Sequence, residues 1–238
     1  MRSSHRTAPA LLPAFACLCI AGAVSAEPPE TATPPMTWNT TYASRYDFEG
    51  IDYSAGRPVF QPAASASARG FTAGIWGNVD QTRGRLDEVD ATMQREFERG
   101  ALSGAVGYEY LRFPHRAGWA PTHEATLDLA LAAPLSPSLS VHWDVDAGAG
   151  RYWTLGLARE FTGPRGTVGL SVKAFAHEHY YGMTGVPAIE TGISYSRVWG
   201  PIALAPTLVR LWAWPNGDFR HALAIEPGWV ASVNVSPK

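Results

Sequence analysis

From Thr37 onward, apolar and polar residues alternate with a period of two, the mark of strands whose two faces meet different surroundings. Between Asp87 and Phe97, Val89, Ala91 and Met93 share one face, and Glu88, Asp90, Thr92, Gln94 and Glu96 share the other. From His123 to Leu131, Ala125, Leu127, Leu129 and Leu131 oppose Glu124, Thr126 and Asp128. From Leu139 to Asp146, Leu139, Val141, Trp143 and Val145 alternate with Ser140, His142, Asp144 and Asp146. Near the end, Leu223, Ile225, Trp229, Ala231, Val233 and Val235 alternate with Ala224, Glu226, Ser232 and Asn234. About twelve such segments recur, close to the ~9–11 residues of a tilted membrane strand. They begin near Thr37, Pro58, Phe71, Asp87, Ala101, Thr122, Pro137, Gly150, Gly166, Ala188, Ile202 and His221.

The connections between segments are uneven, as in a barrel with short periplasmic turns and longer external loops. Phe48 to Arg57, Pro114 to Pro121, His177 to Pro187 and Trp214 to Arg220 are long, whereas Arg69-Gly70 and Gly200-Pro201 are short. The sixth and seventh connections, Ala132 to Ser136 and Ala147 to Ala149, depart from the rule. The pattern puts odd connections outside the cell and both termini in the periplasm.

The N-terminus changes the picture. Arg2 and Arg6 precede an uncharged run from Ala8 to Val24, which ends Val24-Ser25-Ala26 before Glu27. This is a secretory signal peptide, expected to be cut after Ala26. A transmembrane anchor needs roughly 20 apolar residues, and this segment is short and holds Pro9 and Pro13. A lipoprotein signal at Cys17 or Cys19 lacks a Leu three residues earlier. Cleavage removes both cysteines, so the mature chain has no disulfide. It also removes two arginines and no acid, taking the formal charge from −2 to −4, the wrong sign for nucleic acid. The domain expectation is a signal peptide over 1–26, a Pro-rich periplasmic tail over 27–36 and a barrel over 37–238.

A soluble β-sandwich or barrel shows the same alternation, with its apolar face inside. The signal peptide, the missing cysteines, nine Trp residues and the uneven loops favour the membrane form. The predicted fold is an all-β, transmembrane, antiparallel up-and-down barrel of about twelve strands in the cell outer membrane.

The segment Tyr42 to Pro58, YASRYDFEGIDYSAGRP, carries Phe48-Glu49-Gly50 and Ser54-Ala55-Gly56-Arg57-Pro58. Gly70-Phe71-Thr72-Ala73-Gly74-Ile75-Trp76-Gly77-Asn78 follows, then Glu88-Val89-Asp90, Val106-Gly107-Tyr108-Glu109-Tyr110 with Phe113-Pro114, and Glu124. In this order the motifs resemble the TorF-like porin family of bacterial outer-membrane proteins. The resemblance implies an outer-membrane barrel of porin type; the family has no well-defined substrate. That family often has Arg where this chain has Glu49, which speaks against an anion-binding role for the loop. The chain also ends Val233-Asn234-Val235-Ser236-Pro237-Lys238, without the terminal aromatic that the barrel-assembly machinery reads on many such strands.

By parity, Glu88, Asp90, Glu96, Glu109, Glu124, Asp128, Asp144, Asp146, Glu160, Glu190 and Glu226 face the lumen, against Arg45, Lys173 and Arg210. An excess of fixed acids favours cations in an aqueous pore, or simply keeps the interior polar. Trp76 falls on the inner parity and is expected to line or plug the lumen. Trp38, Trp143, Trp153, Trp199 and Trp229, with Tyr42, Tyr108, Tyr110 and Tyr195, suit interfacial girdles. His177-Glu178-His179 offers too few ligands for zinc and reads as an exposed loop. Ser140, His142 and Asp144 share a strand face, but their side chains stand ~7 Å apart along it, so no enzyme, metal or cofactor is expected. The expected partners are membrane lipid and lipopolysaccharide, the barrel-assembly machinery during biogenesis, and small polar solutes or ions.

Overall fold

The structure, a computed structural model, describes residues 36–214, 216–221 and 227–238. The expected signal peptide and nearly all of the expected tail lie outside the described residues. So do Leu223, Ile225 and Glu226.

The strands are β1 (Met36–Ala43), β2 (Asp47–Phe48), β3 (Ile51–Asp52), β4 (Val59–Ala68), β5 (Phe71–Asp80), β6 (Arg85–Arg99), β7 (Leu102–Arg112) and β8 (Thr122–Leu131). They continue as β9 (Ser138–Asp144), β10 (Arg151–Gly163), β11 (Gly166–Tyr180), β12 (Met183–Gly185), β13 (Ala188–Trp199), β14 (Ile202–Ala213) and β15 (Gly228–Pro237). All but β2, β3 and β12 build one closed antiparallel barrel of 12 strands. Each barrel strand pairs with its neighbours in sequence, and β1 closes the ring on β15. Strand starts follow the alternation to within a residue or two, with one correction. The last strand begins at Gly228, not near His221, because Gly217–His221 forms a 3-10 turn.

The polarity of the wall is inverted relative to a soluble protein. Ile75, Met93, Val106, Leu155, Leu157, Leu170, Val172, Ile193 and Leu208 stand exposed on the outside, whereas Glu88, Asp90, Glu109, Glu124, His142 and Asp144 are buried within. Arginines stacked on aromatic rings bound the apolar belt. Arg95 lies over Phe71, Arg159 over Phe161 and Arg197 over Trp199 at the short-turn end. Arg151 lies over Trp153 and Arg210 over Trp212 and Trp229 at the long-loop end. On β10, Trp153 and Phe161 are about 26 Å apart along the strand at ~3.3 Å per residue. At a tilt of ~40° this is about 20 Å along the barrel axis, near the ~25 Å apolar band of membrane barrels. Each cation caps an aromatic at the edge of the belt while keeping its charge out of it.

Arg210, expected inside, therefore points outward, since it is paired across the sheet with the outward Trp229. Trp38, Tyr42, Tyr108, Trp143, Trp199 and Trp229 are exposed on the outer wall, and Trp153, Tyr110 and Tyr195 partly so.

Two small apolar clusters sit inside the barrel near the long-loop end. Ala43, Tyr46 and Val59, flanked by Phe48, Tyr53 and Trp76, form one, and Phe175, Ala188 and Leu211 form the other. The connection between β1 and β4 bridges them.

Candidate functional site

The first connection does not stand above the barrel. Its β2–β3 hairpin, with Phe48 paired to Ile51, folds inward. Glu49 and Gly50 form the tip with φ of 50° and 83°, the two positive values that a two-residue type I′ turn requires. Near its base, Tyr46 packs 5.7 Å from Trp76 on β5. At the tip, Gly50 lies against Phe175 of β11, Pro187 and Ala188 of β13. Phe48 meets Tyr152 of β10 edge-on at 5.3 Å, and Thr154 donates a 2.6 Å hydrogen bond to Glu49 Oε2. The hairpin thus spans the interior between opposed walls. The β7–β8 connection covers it: Arg116 donates to the Tyr53 carbonyl at 2.7 Å, and Trp119 stacks edge-on with Tyr53 at 5.5 Å.

Burial raises the Glu49 carboxyl from the ordinary 4.5 to about 7, against the lowering effect of the Thr154 hydrogen bond. Burial likewise raises Asp47 to about 6, although Arg45 donates to it at 2.8 Å. Tyr53 is also held above its usual range by burial.

Beneath the hairpin, the register of β6 to β9 gathers an acidic patch. Thr92 of β6 stands opposite Glu109, so Asp90 and Glu109 are diagonal neighbours. Glu109 stands opposite Glu124, and Glu124 opposite Asp144, one inward position from His142. His142 Nδ1 bonds Glu124 Oε2 at 2.9 Å and lies 3.7 Å from Glu109 Oε2. Tyr180 donates to Glu124 Oε1 at 2.7 Å, and the His142 ring stacks on Tyr152 at 4.5 Å. Thr122 donates to Asp144 at 2.8 Å.

The expected lumen residues divide accordingly. Glu88, Asp90, Glu109, Glu124 and Asp144 are buried together on the inner wall. Lys173 and Glu190 pair at 3.0 Å on the opposite wall, and Arg45 is buried on the loop beside Asp47. Asp128 is partly exposed toward the short-turn end and accepts from Ser140 at 2.6 Å. Asp146 corrects the expectation: it is exposed in the β9–β10 connection, past the last residue of β9, and donates its backbone N–H to Asp144. The structure adds the loop residues Phe48, Glu49 and Tyr53, and the rings of Tyr152 and Tyr180, to those expected from parity. The inner parity of β10 marks Tyr152, whereas Tyr180 is off the parity of Lys173, Phe175 and His177 and turns inward past a register shift; Glu49-Gly50 between short apolar-acid pairs marks the turn.

His177, Glu178 and His179 do not converge. His177 is buried and faces the Glu49 carbonyl at 3.4 Å, Glu178 is bound to Arg151, and His179 is exposed. Ser140, His142 and Asp144 bond to Asp128, Glu124 and Thr122 respectively, so they make no relay. Among the described residues, the set whose donor atoms do come together is Glu109, Glu124 and His142.

No protein-family model matches the chain, and no curated protein matches its sequence, so the TorF-like resemblance stands on its motifs alone. Among solved structures the chain is similar to the NanC porin, at 11% identity with a TM-score of 0.57, over 86% of this chain and 100% of that one. At that identity the likeness establishes the fold alone, a closed antiparallel β-barrel.

Proposed function

We propose that the chain is an outer-membrane channel of porin type for small polar solutes, weakly cation-preferring, with its aperture set by the inward hairpin. The observation that carries this reading is the inverted wall: an exposed apolar belt between Arg–aromatic pairs, around a polar interior. In water such a belt far exceeds the few hundred Å² of apolar patch a soluble monomer tolerates. In a bilayer it is what a spanning strand must present. The NanC porin shares the fold. The acids on β6 to β9 outnumber the inward cations, which supports a cation preference. Lipid and lipopolysaccharide then surround the belt, and the barrel-assembly machinery inserts it.

A second reading has one observation in its favour. The hairpin is docked on both walls beneath an aromatic cover, as in a closed barrel that serves the envelope structurally or binds a partner through its loops. An outer-membrane lipid hydrolase is disfavoured, since its Ser and His face away from acyl chains. Planar-bilayer recordings of the native barrel and of a variant lacking residues 46–53 separate the readings. The channel reading expects resolved conductance steps, larger in the deletion variant. Silence from both would leave only the closed barrel.

A further inference from the structure

We infer that Glu109, Glu124 and His142 form a binding site for one divalent transition-metal ion, of which zinc is the type, in the barrel wall beneath the hairpin. The ligand atoms lie within 4.8 Å of one another. His142 Nδ1 is 2.9 Å from Glu124 Oε2 and 3.7 Å from Glu109 Oε2. Around a tetrahedral zinc with bonds of ~2.0–2.1 Å, neighbouring ligands stand ~3.3 Å apart. The two spacings from His142 bracket that value, and the third, between the two carboxylates, is no more than 4.8 Å, so small side-chain rotations bring all three onto one cation. One imidazole and two carboxylates leave a fourth position for water, the donor set of an open zinc site.

The second observation is independent of this spacing. Asp90 is 7% exposed and Glu88 5%, yet Asp90 Oδ1 and Glu88 Oε2 accept no hydrogen bond. Asp90 faces the charges of Glu88, Glu109 and Glu124. Buried carboxylate oxygens without a partner are costly. Arg116 faces Glu88, which leaves one imidazole for the carboxylates of Asp90, Glu109 and Glu124. A dication held by two of them supplies the missing charge and lies in reach of the third's field.

Supporting contacts orient the ligands as metal sites require. Tyr180 fixes the second Glu124 oxygen, and Tyr152 fixes the plane of the imidazole. The mixed imidazole–carboxylate set discriminates against calcium, which prefers six to eight oxygens. Binding does not depend on conduction: a barrel that passes no current holds the ion equally well.

The test uses the full-length barrel folded in detergent and stripped with chelator, titrated calorimetrically with zinc chloride and, separately, calcium chloride. The native barrel should bind one zinc per chain, more tightly than calcium. Glu109→Gln and His142→Gln should each weaken zinc by at least ~10-fold, and His179→Gln, at an exposed histidine, should leave it unchanged. Heat-modifiable gel mobility checks that each variant is folded. Should either variant misfold, the imidazole nitrogen resonances of the native protein decide. Those of His142 should shift with zinc while those of His123 stay fixed. Absence of zinc binding by the native barrel at millimolar zinc, undiminished binding in both variants, or a silent His142 overturns the site.

Discussion

A single methyl group at Gly50 tests whether the hairpin is a packed plug. Gly50→Ala puts a Cβ 3.0 Å from Ala188 Cβ, 3.2 Å from Pro187 Cγ and 3.3 Å from Phe175 Cδ2. It also forces a side chain to adopt a φ of 83°. The left-handed backbone costs about 1–2 kcal/mol in a non-glycine residue. Overpacking against rigid neighbours adds about 1–3 kcal/mol. What holds the tip is of the same size: the Thr154 hydrogen bond to Glu49, about 1.5–3 kcal/mol if the carboxyl is ionised, and the Phe48–Tyr152 contact, about 0.5–1.5 kcal/mol. The docked state should therefore lose most of its advantage. Gly56 is the control, since its φ is 70° but a Cβ added there would meet nothing within 4 Å. Gly56→Ala carries the backbone cost alone. Single-channel conductance and tryptic cleavage at Arg45 report loop release, and both should rise in Gly50→Ala well above Gly56→Ala. Equal effects in the two variants would refute packing at the tip as what holds the hairpin.

The Glu49 carboxyl, raised to about 7 in the docked hairpin, gives docking a pH dependence. Its contribution is full below the ordinary value near 4.5 and is lost as pH rises through about 7, a span worth roughly 3 kcal/mol. Asp47, raised to about 6, acts in the same direction. Hydrogen exchange of the loop should therefore speed up from pH 5 to pH 8, and Glu49→Gln should flatten the curve; an exchange rate that follows only the chemical pH dependence counts against it. Leu127 and Thr126 are neighbours on opposite faces of β8, opposite Val106 and Gly107 of β7. Leu127→Arg should cost ~2–4 kcal/mol in vesicle folding titrations and Thr126→Arg little, and a larger loss for Thr126→Arg would reverse the assigned faces. If the lumen conducts, reversal potentials across a KCl gradient should favour potassium at low salt. The preference should shrink near 1 M, where the Debye length is ~3 Å. Asp90→Asn with Glu124→Gln should reduce it, whereas anion preference in the native barrel would point to loop arginines such as Arg83, Arg85 and Arg116 as the controlling charges.

What the sequence can disclose follows from which interactions are periodic. In β6, the alternation of Glu88 and Asp90 with Val89 and Ala91 reports directly on two solvents, so inside and outside are legible from single residues. Asp146 continues the alternation in sequence, but β9 ends at Asp144 and parity has no meaning beyond a strand end. Arg210 departs from the inward expectation because a cation near the bilayer edge can sit outside when Trp212 and Trp229 receive it. The Glu109–Glu124–His142 group depends on cross-strand register, which no local pattern specifies. The inward course of the first loop is equally hidden, because long-range partners such as Thr154 and Ala188 decide it. Its turn, Glu49-Gly50, looks like any exposed hairpin tip.

The seam between β1 and β15 has a consequence for how the molecule is made. Every other barrel pairing joins strands adjacent in sequence and can zip up locally, with little loop-closure entropy. At the seam, Ala43 meets Ser232 and Thr40 meets Val235, and Asn234 reaches Asn39 and Thr41 through its side-chain amide. Until both ends of the chain are present, the sheet keeps two bare edges that no lipid can satisfy. Closure is therefore the last pairing to form, and an interrupted chain remains an open ribbon ready to capture another strand. The polar clasp of Asn234 distinguishes the proper register from a two-residue slip, which the alternation of faces alone would tolerate.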